Sequence, residues 1–180
     1  MLASLMDEIG PRFLENIVTE DETPLSFYIP FSRRESKEWV LPDQKPANVL
    51  RHGTTHKKIV MLTVFWDVKA FLKVDFTDGA INSDYYIDII NKVRSLRRKP
   101  RNHDIYLLHD NALVHKSNRT HEEIARLRFV QMEHPPYSPD LAPSDFWSFN
   151  HLKKHLRGRK FNSKEDLKSG VNNFFFESWI

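Results

Sequence analysis

Cysteine is absent from the 180 residues, which excludes a disulfide framework and any thiolate metal site and fits a reducing compartment. Long apolar runs are lacking too. The longest, Ile59 to Trp66, is interrupted by Thr63 and stops at Asp67, too short to cross a bilayer and too far along the chain for a signal peptide. No internal repeat or low-complexity tract appears. These absences describe a soluble intracellular domain, nuclear or cytoplasmic, with no membrane partner; no small-molecule cofactor is expected either.

What is present is enough for one core: hydrophobic side chains make up 40% and aromatic ones 12% of the chain, which predicts a single domain. The formal charge is +3 with a pI near 9.1. The basic residues come in clusters, a balance that permits nucleic acid without demanding it.

Residues 1–15 read as the remnant of an interdomain linker, and 16–180 as the domain. The pattern FLENIVT from Phe13 to Thr19 fits a strand leading into the carboxylate cluster Glu20-Asp21-Glu22, and Pro24 limits how far that strand can continue in a sheet interior. Residues 30–57, with Pro30, Pro42 and Pro46 and little periodicity, form an irregular loop insertion around Trp39-Val40. The β-rich runs 58–66 and 71–76 read as a hairpin.

Asn82 or Ser83 caps a helix to about Arg98, with Tyr86, Ile89, Ile90, Val93 and Leu96 as its apolar stripe. A strand at 104–108 delivers His109-Asp110, a helix covers 117–127, and a strand covers 129–132. Ser144 caps a third helix that Gly158 ends. Ser163 with Asp166 opens a fourth helix through a variant capping box. The sum is an α/β fold: a mixed central sheet with helices on its faces.

Acids stand where the ends of regular elements can gather them. Phosphoryl transfer without a covalent enzyme intermediate needs an activated hydroxyl and a stabilised leaving oxygen, which two divalent ions about 4 Å apart supply. Mg²⁺ and Mn²⁺ favour hard oxygen ligands. The candidates are Asp21, Asp110 and Asp145. Each also has a plain reading: Asp21 as a surface acid, Asp110 as a turn residue with Asn111, and Asp145 as a first-turn acid favoured by the helix dipole.

HDNALVH from His109 to His115 and HPPYSPDLAPSD from His134 to Asp145 resemble the signature of the mariner-type DNA transposases. The acids Asp110 and Asp145 differ by 145 − 110 = 35 positions, leaving 34 residues between them, the mariner spacing. Further similarity lies in VTEDE at Val18, WVLPDQKP at Trp39, VFWD at Val64, INSDYY at Ile81 and FNSKEDLK at Phe161. The resemblance implies a ribonuclease H-like fold with Asp21, Asp110 and Asp145 as catalytic residues and metal ligands for two Mg²⁺ or Mn²⁺ ions.

It also implies DNA cleavage and strand transfer at transposon ends into a TA target, a homodimer, and a nuclear location, with the cytoplasm open to a truncated copy. Trp39, Val40 and Pro42 would belong to a clamp loop reaching the partner and DNA.

The sequence departs from the family pattern in places. Glu20 stands for the usual Gly, Thr23-Pro24 for Lys-Trp, and Leu113-Val114 for Arg-Pro. No helix-turn-helix modules precede Asp21, and the chain stops before the family's C-terminal segment. A C-terminally truncated or decayed copy is therefore expected. The alternative is a catalytically inactive DNA-binding or protein-interaction remnant of the same fold.

Basic clusters supply DNA-contact candidates: Arg97, Arg98 and Arg101 after the first long helix, and Lys153, Lys154 and Arg157 after Asp145. His151 and His155 lie four apart, a spacing that can bind zinc, yet without a third ligand a polar helix surface is the better reading. The run Phe174-Phe175-Phe176 with Trp179 reads as core.

Overall fold

The computed structural model describes residues 10–30, 59–97, 104–132 and 142–177. The expected clamp-loop residues Trp39, Val40 and Pro42, the basic residues Arg98 and Arg101, and Trp179 lie outside the described residues. So does most of the run from His134 to Asp145.

Five strands form one sheet in the order β3-β2-β1-β4-β5: β1 (Ile17–Ser26), β2 (Ile59–Trp66), β3 (Phe71–Thr77), β4 (Ile105–Leu108) and β5 (Phe129–Gln131). The first three run antiparallel to their neighbours, while β1-β4 and β4-β5 are parallel. Helix α1 (Ser83–Leu96) lies between β3 and β4 in the chain, and α2 (Asn118–Arg126) between β4 and β5. Helices α3 (Asn150–Leu156) and α4 (Lys164–Glu177) follow the last strand.

Because successive strand residues point to opposite faces, the sheet builds two cores. On one face Leu25, Val60, Leu62 and Val64 pack against Leu152 and Leu156 of α3 and Val171 of α4. On the other, Val18, Phe65 and Leu107 pack against Tyr86, Ile90 and Val93 of α1 and Ile124 of α2. Caps at the helix starts follow the sequence. Asn82 accepts from the Tyr85 amide at 2.9 Å, and Ser163 accepts from the Asp166 amide at 3.1 Å. Gly158 adopts φ 72° just beyond α3, a left-handed position that favours glycine.

Three local expectations change. The chain before β1 is a 3-10 helix, Pro11–Asn16, so the first strand starts at Ile17 rather than Phe13. A proline at the first helical position favours this start. Pro24 does not end the strand; it sits within β1 opposite Met61. At that height β1 has a neighbour on one edge, because its pairing with β4 covers Ile17 to Thr19, so the missing N–H need not break a ladder. Ser144 does not cap the third helix: its hydroxyl is buried and accepts from the Trp66 indole at 3.0 Å. The segment Ser144–Phe149 is π-helical and runs directly into α3.

Candidate active site

The carboxyl ends of parallel strands are where an α/β sheet collects ligand-binding groups, and β1 and β4 are adjacent and parallel. Their pairs are Ile17 with Tyr106, Val18 with Leu107 and Thr19 with Leu108. Continued two residues further, this register sets Asp21 level with Asp110. Strand alternation then sorts the acids by face. Asp21 shares its face with Leu25, toward α3 and α4, whereas Glu20 and Glu22 share theirs with Val18, toward α1.

Asp21 is buried, and its Oδ1 accepts from the Glu22 amide at 2.8 Å. Burial, followed by the nearby Asp145 carboxylate, pushes its carboxyl up to about 7, with Glu22 and Asp110 adding to the rise against the backbone hydrogen bond. The structure therefore brings Asp145 and Asp110 within electrostatic reach of Asp21. Asp145 lies exposed in the first turn of the π-helical segment, and Asp110, half-exposed, follows β4.

Beneath these acids lies a buried polar cluster that sequence reasoning missed. His115 is its hub. Its Nδ1 lies 2.9 Å from Asp110 Oδ1, and its Nε2 lies 3.5 Å from Glu22 Oε1 and 3.6 Å from Glu20 Oε2. Burial alone would strip the ring of its proton, but the carboxylates of Asp110, Glu22 and Glu20 outweigh it and hold the imidazolium up to about 11. The same hydrogen bond, against partial burial, keeps Asp110 below the usual carboxylate range. Burial first, and then Glu22, pushes Glu20 well above it.

His109 is engaged at both ring nitrogens, with the Tyr86 hydroxyl 2.7 Å from Nδ1 and Gln131 Nε2 2.8 Å from Nε2. A consistent direction has Gln131 donating to Nε2, Nδ1–H donating to Tyr86, and Tyr86 donating to Glu20 Oε2 at 3.5 Å. Glu20, His109 and His115 offer ligand atoms within 4.8 Å of one another, yet this chain of bonds already occupies His109. Glu22, Asp110 and His115 form a second such group, open on its exposed side. Two signals for these residues were available: the second histidine of HDNALVH, and the alternation that turns Glu20 and Glu22 away from Asp21.

The donor set fits a hard divalent cation. Carboxylates are the hard ligands such an ion favours, Asp21 feels both Asp145 and Asp110, and two of the three acids are partly open to solvent. Among the described residues, however, the two sets with ligand atoms within 4.8 Å of one another both contain His115, and Asp21 and Asp145 belong to neither. The expected DNA-contact residues divide. Lys154 is exposed on α3, with Lys153 and Arg157 half-buried beside it. Arg97, expected at a DNA-facing surface, is instead buried and ion-paired with Asp67, and it also donates to the Glu15 carbonyl. His151 and His155 do not act as a pair: His151 Nδ1 bonds the Trp147 carbonyl at 2.7 Å, and His155 packs on Phe174. Phe174 and Phe175 are core, while Phe176 is exposed.

The elevated Asp21 carboxyl has a stability consequence. Its folded value of about 7 exceeds the ordinary value of 3.8, so the folded state retains a proton that the unfolded chain releases. The metal-free fold therefore loses this contribution as pH rises from about 4 to about 7. Asp21→Asn is expected to raise the melting temperature at pH 8 in chelator by several degrees, roughly 2 kcal/mol, with the gain vanishing near pH 4. Thermal melts at both pH values check this, and an equal shift at each would refute the electrostatic cause.

Comparison with known proteins gives a consistent answer. A family model described as DDE superfamily endonuclease matches residues 17–168. The chain is 32% identical over 171 residues to the mariner Mos1 transposase of Drosophila mauritiana, covering 91% of this chain and 48% of that protein. It is 32% identical over 169 residues to the human histone-lysine N-methyltransferase SETMAR, covering 90% of this chain and 24% of that one. The chain thus spans about half or less of these relatives. Among solved structures, the Mos1 mariner paired-end complex with Mn superposes with a TM-score of 0.83 at 30% identity, covering 97% of this chain and 52% of the other. The catalytic domain of Mos1 transposase alone gives 0.71 at 27%, covering 97% and 76%.

Proposed function

The chain belongs to the DDE superfamily endonucleases and is a mariner transposase catalytic domain of ribonuclease H-like fold, and from that membership we propose that it cuts and rejoins DNA strands in a metal-dependent manner. Asp21, Asp110 and Asp145 are the ligands in this reading. The observation that carries it is the electrostatic contact at Asp21, a buried side chain midway along β1, just past the last residue paired with β4, which feels both Asp145 and Asp110.

Two Mg²⁺ or Mn²⁺ ions, when bound, supply the charge that activates the attacking hydroxyl and stabilises the leaving 3′ oxygen. The protein's own part is geometric. β1 fixes Asp21 in a buried position, the Asp110 loop is closed by the Ala112 amide and His115, and the π-helical segment carries Asp145. Lys153, Lys154 and Arg157 lie along the helix that continues from Asp145, and their charge suits contacts to phosphates that are independent of sequence. The substrate is transposon-end DNA with a TA target, the working form is a homodimer, and the location is the nucleus.

Pro24 lies within β1 opposite Met61 while Asp21 feels both Asp145 and Asp110, which supports the catalytic reading over an inactive remnant. The test is nicking of supercoiled plasmid by the wild type in Mg²⁺, in Mn²⁺ and in chelator, beside Asp145→Asn. Wild-type nicking that needs the metal and is lost in the variant is expected. Equal, background-level nicking by both would establish the non-catalytic alternative instead.

A further inference from the structure

We propose that His115 is the positioning residue that aims the Asp110 carboxylate, a role that rests on Asp110 being one of the metal ligands proposed above. Asp110 follows the end of β4 and is half-exposed, so its strand alone does not fix its side chain. Two donors do, and both act on the same oxygen. The Ala112 amide donates to Asp110 Oδ1 at 2.9 Å, and His115 Nδ1 lies 2.9 Å from that atom and 3.2 Å from the Asp110 main-chain carbonyl, so the ring holds both the carboxylate and its backbone.

The imidazole can serve as a reference because it is buried and packed against its ring neighbours. Its side chain is 1% exposed. It stacks on His109 at 4.5 Å with an interplanar angle of 19° and packs on Tyr86 at 4.4 Å. Its own amide bonds the Ala112 carbonyl at 3.0 Å, closing the loop from Asp110 to His115. Its far nitrogen faces Glu20 and Glu22 of β1 at 3.6 and 3.5 Å. One ring therefore ties the carboxylate after β4 to the strand that carries Asp21. A ligand-orienting partner of this kind is worth about 10–100-fold in metal affinity, and the bond needs nothing from the ring but the Nδ1 proton.

The choice of substitution separates aiming from packing. The amide nitrogen of Asn can stand where Nδ1 stands, whereas that of Gln reaches toward the Nε2 position. His115→Gln is expected to weaken Mn²⁺ binding, measured by titration calorimetry, by about 10–100-fold. It should also raise the Mn²⁺ concentration for half-maximal nicking in step, with little change in the rate at saturating metal. His115→Asn is expected to stay within about threefold of wild type. Wild-type Mn²⁺ affinity in His115→Gln, or equal losses in the two variants, would overturn the proposal.

If neither variant melts cooperatively, the bond can be read in the native ring: Asp110→Ala should move the ¹⁵Nδ1 resonance of His115, and an unmoved resonance also overturns it. Unimpaired Mn²⁺ binding by Asp110→Asn would instead remove Asp110 from the ligand set, a failure of the functional reading rather than of the His115 contact.

Discussion

Asp110→Asn is expected to slow metal-dependent nicking by about a thousandfold, while the melting temperature stays within a few degrees of wild type. The substitution keeps the shape of the side chain and an oxygen that can accept from the Ala112 amide and from His115, the two contacts that close this loop. What it removes is the charge. A carboxylate in a two-metal phosphoryl-transfer site contributes several kcal/mol of charge stabilisation. Each 1.36 kcal/mol is about tenfold in rate, so a loss near 4 kcal/mol gives the thousandfold figure. Single-turnover nicking in saturating Mn²⁺ is the measurement. Activity within about threefold of wild type would take Asp110 out of the chemistry.

Arg97→Leu is expected to have the largest effect on stability, about 3–5 kcal/mol in urea unfolding, because it strands a buried carboxylate. Asp67 is 1% exposed and pairs with the Arg97 guanidinium, itself 10% exposed. The other carboxylate oxygen of Asp67 holds the β2–β3 turn, accepting from the amides of Lys69 at 2.7 Å and Ala70 at 3.0 Å. Arg97 also donates to the Glu15 carbonyl, which ties the end of α1 to the residues before β1. Adding Asp67→Asn to Arg97→Leu should recover part of the loss by removing the unpaired charge. A single-variant loss below about 1 kcal/mol would show that the pair is worth no more than a surface salt bridge.

Arg97 also shows what was legible in the sequence and what was not. The run of basic residues after α1 looked like one DNA-facing patch, yet the stripe Tyr86, Ile90, Val93 continues at helical spacing to position 97, on the inward face. Periodicity carried the information, and the charge concealed it. The long helix, its Asn82 cap, the hairpin and the short strand β4 were legible because their signals are local. Asp110 and Asp145 were legible through the motifs around them.

Glu20, Glu22 and His115 were not assigned roles, because their meaning depends on which sheet face each occupies and on a pairing between β1 and β4 that spans almost 90 positions. The 3-10 turn before β1 and the π-helical segment escaped for another reason. Both use residues compatible with a strand or an α-helix, and tertiary packing decides between them.

The π-helical segment Ser144–Phe149 sets the phase between Asp145 and the rest of its helix. Each residue of an α-helix turns the chain by about 100°, and a π turn takes up one residue more per hydrogen-bonded ring. Leu152 and Leu156 are anchored in the core, so the widened turn determines the azimuth at which the carboxylate leaves the axis. The anchor and the acid are thereby geared rather than keyed together: a change in winding between them can re-aim Asp145 while both leucines stay seated. The direction of that acid is a property of local winding, separable from the stability of the helix that bears it.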